Sequence, residues 1–204
     1  MSKYRTKPYD LGAVRTYPLK SRPSKVSVSG FCRPHEPGTT VSEFLGKFPD
    51  ILAARSLKDL AHAICGARSR GRAIIWGIGG HVIKTGLSPV LVDLMDRGLV
   101  SALAMNGSCV VHDYEIAVSG STSEDVDLQL PGGAFGMAEE TGRGINEAIR
   151  EGNADGLGIG EALGRLLAGS RPEYGRYSLL EQAYLRNIPV TVHVTIGADS
   201  VHNH

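Results

Sequence analysis

The stretch Arg72-Ala73-Ile74-Ile75-Trp76-Gly77-Ile78-Gly79-Gly80-His81 decides the fold. Its first six residues are a short apolar run bounded by glycines, which reads as a buried strand; Ile78 to His81 reads as the turn that ends it. Working outward, residues 86–97 carry Leu87, Val90, Leu91, Leu94 and Met95 on one helical face, and Gly98 caps that helix. Leu99 to Met105 is a second apolar strand, and Asn106-Gly107-Ser108 is a second polar turn, with a further helix from Cys109 to Val118. Strand, helix, strand, helix is a βαβ unit and predicts a parallel sheet. A third strand is expected over Ile188–Ile196, with Pro189 at its start, where a missing N–H is tolerated. Helices are expected over 135–151, 156–168 and 178–186, and an exposed loop over Ser119–Gly133. The fold class is therefore α/β, a three-layer Rossmann-like parallel sheet.

Upstream, Thr40 and Glu43 form a capping-box pattern before an apolar run, so the body is expected to begin near Thr39. A helix over 56–66 follows from Leu57, Leu60, Ala61 and Ile64. Residues 1–38 read as an extended basic arm: Lys3 to Arg33 holds eight basic residues and one acid, Asp10, and the prolines at 8, 18, 23, 34 and 37 break any long helix. This arm either lies over the body or a neighbouring subunit, or contacts an anion. Residues 39–204 read as the N-terminal portion of a single α/β nucleotide-binding domain. The last strand runs into a polar turn with no helix after it, so the remaining cover for the sheet is expected from a C-terminal remainder or a second chain.

Composition narrows the function. The 204 residues carry 22 Lys plus Arg against 21 Asp plus Glu, and that balance argues against a dedicated nucleic-acid binder. No apolar run reaches the ~18–20 residues that cross a bilayer. No secretory signal is visible, and Cys32, Cys65 and Cys109 lack metal or disulfide spacing, so a cytoplasmic location is expected. Glycine is high, 26 residues, and many sit at strand ends, where a ligand is expected in the loops.

The candidate site is the pair of strand-end turns, Gly77–His81 and Asn106–Ser108. Both lie at the carboxyl edge of a parallel sheet, where ligands bind and helix N-termini hold phosphate. The first turn is not GxGxxG, since Gly80 and His81 follow Gly79 directly. Lys84 can pair with a phosphate or, if desolvated, serve as an amine nucleophile. His112 and Asp113 are adjacent on a helix and point in different directions. Cys109, just past the second turn, reads as a buried small residue or a ligand contact, and Glu139 and Glu140 as surface carboxylates or an acid–base pair. His193, Asp199, His202 and His204 open a second possibility, a metal-dependent hydrolase, although no metal site is assigned.

The frame from Ala73 to Asp113 resembles deoxyhypusine synthase. That family has a strand ending in glycine, a Ser-Asn-Leu-Ile-Ser-Ser-Gly-like helix start, a second strand ending in Thr-Ala-Gly-Gly, and then Val-Glu-Glu-Asp. Here the frame reads Gly77, Gly80-His81-Val82-Ile83-Lys84-Thr85-Gly86, Asn106-Gly107-Ser108-Cys109 and Val110-Val111-His112-Asp113. A second block matches at Ser178–Val190. The resemblance implies an NAD-binding α/β domain with helices on both faces, in a homotetramer whose site lies at a subunit interface. The reaction it implies is NAD-dependent transfer of an aminobutyl-type group from a polyamine, spermidine, to a protein lysine or a small amine.

By correspondence, cofactor contacts fall on Gly77, Gly79, Gly80, His81, Val82, Ile83, Lys84, Asn106, Gly107, Ser108, His112 and Asp113, and substrate-side contacts on Asp199 and His202. His81 stands where the family has asparagine, and His112 where it has its second glutamate. Asp199 matches the family's Thr-Asp-Gly-Ser aspartate after a two-residue shift. The family's imine-forming lysine belongs to a Ser-Trp-Gly-Lys segment beyond His204, so the catalytic lysine is unassigned and Lys84 is the candidate within this sequence. A non-catalytic nucleotide-binding or regulatory protein of the same fold is the alternative.

Overall fold

The computed structural model describes residues 3, 5–7 and 9–203. They form two compact units, Met1–Ala61 and His62–His204.

In the first unit the described residues hold single 3-10 turns at Leu11–Ala13, Leu19–Ser21 and Val28–Gly30, then α1 (Val41–Gly46). The capping box predicted from Thr40 and Glu43 is present. The Thr40 side chain accepts from the Glu43 N–H, and the Glu43 carboxylate accepts from the Thr40 N–H at 2.7 Å. His35, Phe44 and Phe48 stack edge to face. None of the described residues here is buried. Helix α2 (Leu52–Ser69) crosses the division between the units.

The second unit is α/β. Its sheet has three parallel strands in the order β1 (Ile75–Ile78), β2 (Ala102–Asn106) and β3 (Val190–His193). Ile75 pairs with Ala102, Ile78 with Met105, Leu103 with Val190 and Asn106 with His193. Helices α3 (Gly80–Lys84) and α4 (Ser88–Asp96) connect β1 to β2. Helices α5 (Gly107–Ser119), α6 (Val126–Gln129), α7 (Glu139–Ala154), α8 (Ile159–Ser170) and α9 (Leu179–Leu185) connect β2 to β3. Gly98, at φ +67°, closes the turn after α4 as expected, donating its N–H to the Met95 carbonyl.

The strand order explains the core. In the order β1-β2-β3, right-handed crossovers put both connections on the same face. Leu103 and Met105 point to that face and are 1% exposed. They join Cys109, Val110 and Ala117 of α5, Ile145 of α7, Leu163 and Leu167 of α8, and Leu179 and Leu180 of α9. Each such large apolar side chain contributes roughly 1.5–3 kcal/mol. On the opposite face Ile75 is 68% exposed, and Thr191 and His193 are exposed. Helices on both faces were expected; among the described residues only one face of the sheet is covered, and the strand order is the reason. Among the described residues no helix is long and apolar enough to cross a membrane.

Two further departures have local causes. The loop expected over 119–133 contains α6, whose Asp125 cap accepts from the Leu128 N–H at 3.2 Å; one turn is too short to show a period. Helix α5 starts two residues earlier than expected, because Asn106 is its cap and accepts from the Cys109 N–H at 3.1 Å. Glycines inside α8 serve close packing. A Cβ on Gly160 would run into the Val190 carbonyl of β3.

Candidate functional site

Both strand-end turns lie at the carboxyl edge of the sheet and open directly into helices. Gly79 is the cap residue of α3, and Asn106 that of α5. Because β1 and β2 are neighbours in register, the two helix starts lie side by side. They touch where no side chain intervenes: a Cβ on Gly80 would collide with the Ser108 hydroxyl and lie 3.0 Å from His112 Cδ2. A Cβ on Gly107 would collide with the Asp199 carboxylate. The segment after β3 therefore folds back over the α5 N-terminus. Asp199 Oδ2 is buried there without a hydrogen-bond partner among the described residues. Ser200 lies against Gly136, where a Cβ would be 2.6 Å from its own.

These contacts surround a cleft of about 250 Å³ with Lys84, Ser108, His112, Glu115, Glu124 and Asp199 in its wall. A larger hollow of about 750 Å³, lined by Tyr114, Thr122, Glu140 and Thr141, shares Glu115, Ser123 and Glu124 with it. Glu115 binds two hydroxyls, Thr122 Oγ1 at 2.5 Å and Thr141 Oγ1 at 3.1 Å. Thr122 Oγ1 is in turn 2.7 Å from His112 Nδ1. Burial lowers the His112 pKa; Glu115 pulls it up, and Lys84 and His81 push it down.

Of the residues singled out by sequence, Lys84, Ser108, His112 and Asp199 meet in the cleft, and Gly80 and Gly107 are the contact points beneath them. Others stand elsewhere. Ile83 is 4% exposed inside the core and Val82 packs against it, because their helical positions face the sheet's covered side. Gly77 stays within β1, and His81 is exposed. Asp113 is fully buried and faces away from the cleft. Its carboxyl accepts from Ser178 Oγ (2.5 Å), the Leu179 N–H (2.6 Å) and the Leu180 N–H (3.0 Å), so it caps α9 from α5. The expectation that it contacts a cofactor is corrected to this anchoring role. Burial pushes the Asp113 carboxyl up to about 6, against the downward pull of those three donors.

Cys109 is also buried, with its Sγ 3.4 Å from the Ile78 carbonyl, and it ties α5 to β1 rather than facing a ligand. Glu139 pairs with Arg143 at 3.3 Å on the surface. His202 accepts from the Gly197 N–H at 3.1 Å and does not line the cleft, which corrects its placement on the substrate side. His193 lies on the open sheet face beside Thr191, 3.0 Å away. His204 lies outside the described residues. Among the described residues no three His, Cys, Asp or Glu side chains gather in a way that could hold a metal ion, so His193, Asp199 and His202 do not come together as ligands. Sequence reasoning missed Glu115, Thr122 and Glu124. Glu115 sits one helical turn after His112, a spacing visible in the sequence; Thr122 reaches the site only through the fold of its loop.

No protein-family model matches this sequence, and no curated protein matches it. Among the solved structures similar to it in part are the following two. One is the apo form of ArgZ, an arginine dihydrolase from the ornithine–ammonia cycle in Cyanobacteria, at 24% identity and a TM-score of 0.48, over 69% of this chain and 18% of that one. The other is a conserved putative LOR/SDH protein from Methanococcus maripaludis S2, at 16% identity and a TM-score of 0.49, over 96% of this chain and 50% of that one. The chain thus spans half or less of the length of either. The structure itself defines a mixed α/β protein with a small, open, parallel sheet flanked by helices, a Rossmann-like arrangement.

Proposed function

We propose that the rim cleft binds a nicotinamide dinucleotide. We further propose that this chain is the cofactor-binding part of an NAD-dependent transferase of the deoxyhypusine synthase type, which moves an aminobutyl-type group from a polyamine to an amine acceptor. The observation that carries the cofactor reading is the side-by-side start of α3 and α5, which pack so closely that a Cβ on Gly80 would strike the Ser108 hydroxyl. The residues present fit such a group. The Asp199 carboxylate already rests on Gly107 at the start of α5, so the positive charge offered to a phosphate is that of Lys84 in the cleft wall. The unpartnered Asp199 Oδ2 is an acceptor suited to a ribose hydroxyl. The 250 Å³ cleft alone is small for a dinucleotide, and the adjoining 750 Å³ hollow brings the space into the usual range of cofactor sites.

NAD, when bound, supplies the hydride acceptor that such a transfer needs. Lys84 would neutralise phosphate charge, Asp199 would orient a hydroxyl, and Gly80 and Gly107 let Ser108 and Asp199 pack closely enough to form the cleft wall. The aminobutyl step rests on the sequence resemblance, as does the expected homotetramer with its site between subunits.

Calorimetric titration with NAD tests the cofactor reading. Binding is expected, and Lys84→Glu should weaken it at least tenfold, about 1.4 kcal/mol. No heat at ~1 mM NAD, an affinity limit near −4 kcal/mol, overturns it. Borohydride trapping after incubation with NAD and spermidine tests the transfer. A modified lysine supports it, whereas NAD binding with neither NADH nor adduct favours the non-catalytic alternative.

A further inference from the structure

The chain from His112 through Thr122 to Glu115 fixes where protons sit. Glu115 Oε1 is taken by the Thr141 hydroxyl and Oε2 by the Thr122 hydroxyl. A carboxylate has no proton to give, so Thr122 spends its single proton on Glu115. Toward His112, 2.7 Å away, Thr122 Oγ1 can then only accept. The proton of a neutral His112 must therefore be on Nδ1, and the lone pair on Nε2. Among the described residues Nε2 has no hydrogen-bond partner, and His112 lines the cleft.

We infer that His112 is a ligand-contacting residue held as the Nδ1–H tautomer by Thr122 and Glu115, and that its Nε2 accepts from a donor group of the ligand, a hydroxyl or an ammonium. The inference rests on the reading of the cleft as a ligand site. Thr122 and Glu115 are positioning residues. They set the ring's rotation and tautomer as a carboxylate does behind a metal-bound or catalytic imidazole, here with a hydroxyl interposed. Burial keeps the ring neutral to lower pH than an ordinary histidine. The charged groups around it are Lys84 and His81 on α3, Glu115 on its own helix, Glu124 from the segment after α5, and Asp199 from the segment after β3.

Imidazole ¹⁵N NMR on the free, full-length protein tests the relay. In the wild type His112 should appear as Nδ1–H at neutral pH, with a titration midpoint below that of a model histidine. Thr122→Val should leave a mixture of tautomers, and Thr122→Ser should restore the single one. Glu115→Gln makes the sharpest prediction. Thr141 holds the amide oxygen, so the amide nitrogen faces Thr122, the hydroxyl reverses, and His112 should switch to Nε2–H. A wild-type ring protonated on Nε2, or a tautomer unmoved by both Thr122→Val and Glu115→Gln, overturns the inference. Because these readouts need no ligand, their failure is distinct from failure of NAD to bind. NAD alone and spermidine alone are then added. Movement of the Nε2 resonance with the first identifies a donor of the dinucleotide, and with the second an ammonium; no movement with either overturns the ligand-contacting role.

Discussion

Asp113→Ala is expected to destabilise the second unit by about 3–5 kcal/mol at neutral pH, which places it among the severe single substitutions. The side chain is fully buried, and three donors converge on it. Removing it leaves the first N–H groups of α9 unpaired in the core, and the α5–α9 contact loses its polar link. Hydrogen bonds to a charged group contribute about 1.5–3 kcal/mol each. Loss of the buried charge offsets part of that, since raising the carboxyl from its ordinary 3.8 to about 6 corresponds to about 3 kcal/mol. Urea unfolding followed by Trp76 fluorescence reads the effect; Trp76 is half-buried, its indole donating to the Leu99 carbonyl at 2.9 Å. A loss under about 1 kcal/mol would mean that water reaches α9 and that Asp113 is no anchor.

The same residue makes stability depend on pH, with a definite sign. The fold raises the pKa of Asp113, so the folded state binds its proton more tightly than the unfolded chain does. That contribution is fully present below 3.8 and is lost as pH rises through about 6. Glu181, also raised by burial, acts in the same direction, so the comparison is best made against Asp113→Asn. Between pH 4 and 7 the wild type should lose roughly 2–2.5 kcal/mol relative to that variant. Parallel stability curves for the two proteins would refute the shift.

Asp113 also shows where the sequence stops being legible. It directly follows His112, and the sequence resemblance assigns both to one cofactor turn, which invites a shared role. On a helix, neighbours stand about 100° apart. His112 faces the cleft, while Asp113 faces α9 and meets Ser178, 65 residues away in sequence. Local pattern carries the βαβ unit, because apolar runs between glycines leave few alternatives for Ile75–Ile78 and Ala102–Asn106. It also carries Lys84, Ser108 and His112, which follow the strand ends directly. It does not carry Thr122, whose loop position has no period, nor the choice between one covered face and two, which depends on strand order.

Gly160→Val is the second substitution with a large expected effect, and it links packing to the cleft. Helix α8 approaches β3 so closely that even a Cβ at Gly160 would strike the Val190 carbonyl. Backbone cannot rotate away as a side chain can, so α8 or β3 must shift. Overpacking in a core costs about 1–3 kcal/mol, and the upper end is expected because the obstacle is main chain and valine adds two methyl groups beyond the Cβ. The consequence reaches the rim. Strand β3 leads through Val194–Ala198 to Asp199, whose carboxylate rests on Gly107 at the start of α5. A displaced β3 should draw Asp199 off Gly107, so the variant is expected to weaken the proposed NAD binding at least tenfold while α5 and His112 stay in place. Gly160→Ala should show the same pattern at smaller amplitude. Unfolding curves and NAD titrations of both variants check this. If the valine variant binds NAD as the wild type does, despite its lost stability, Asp199 takes no part in holding the ligand.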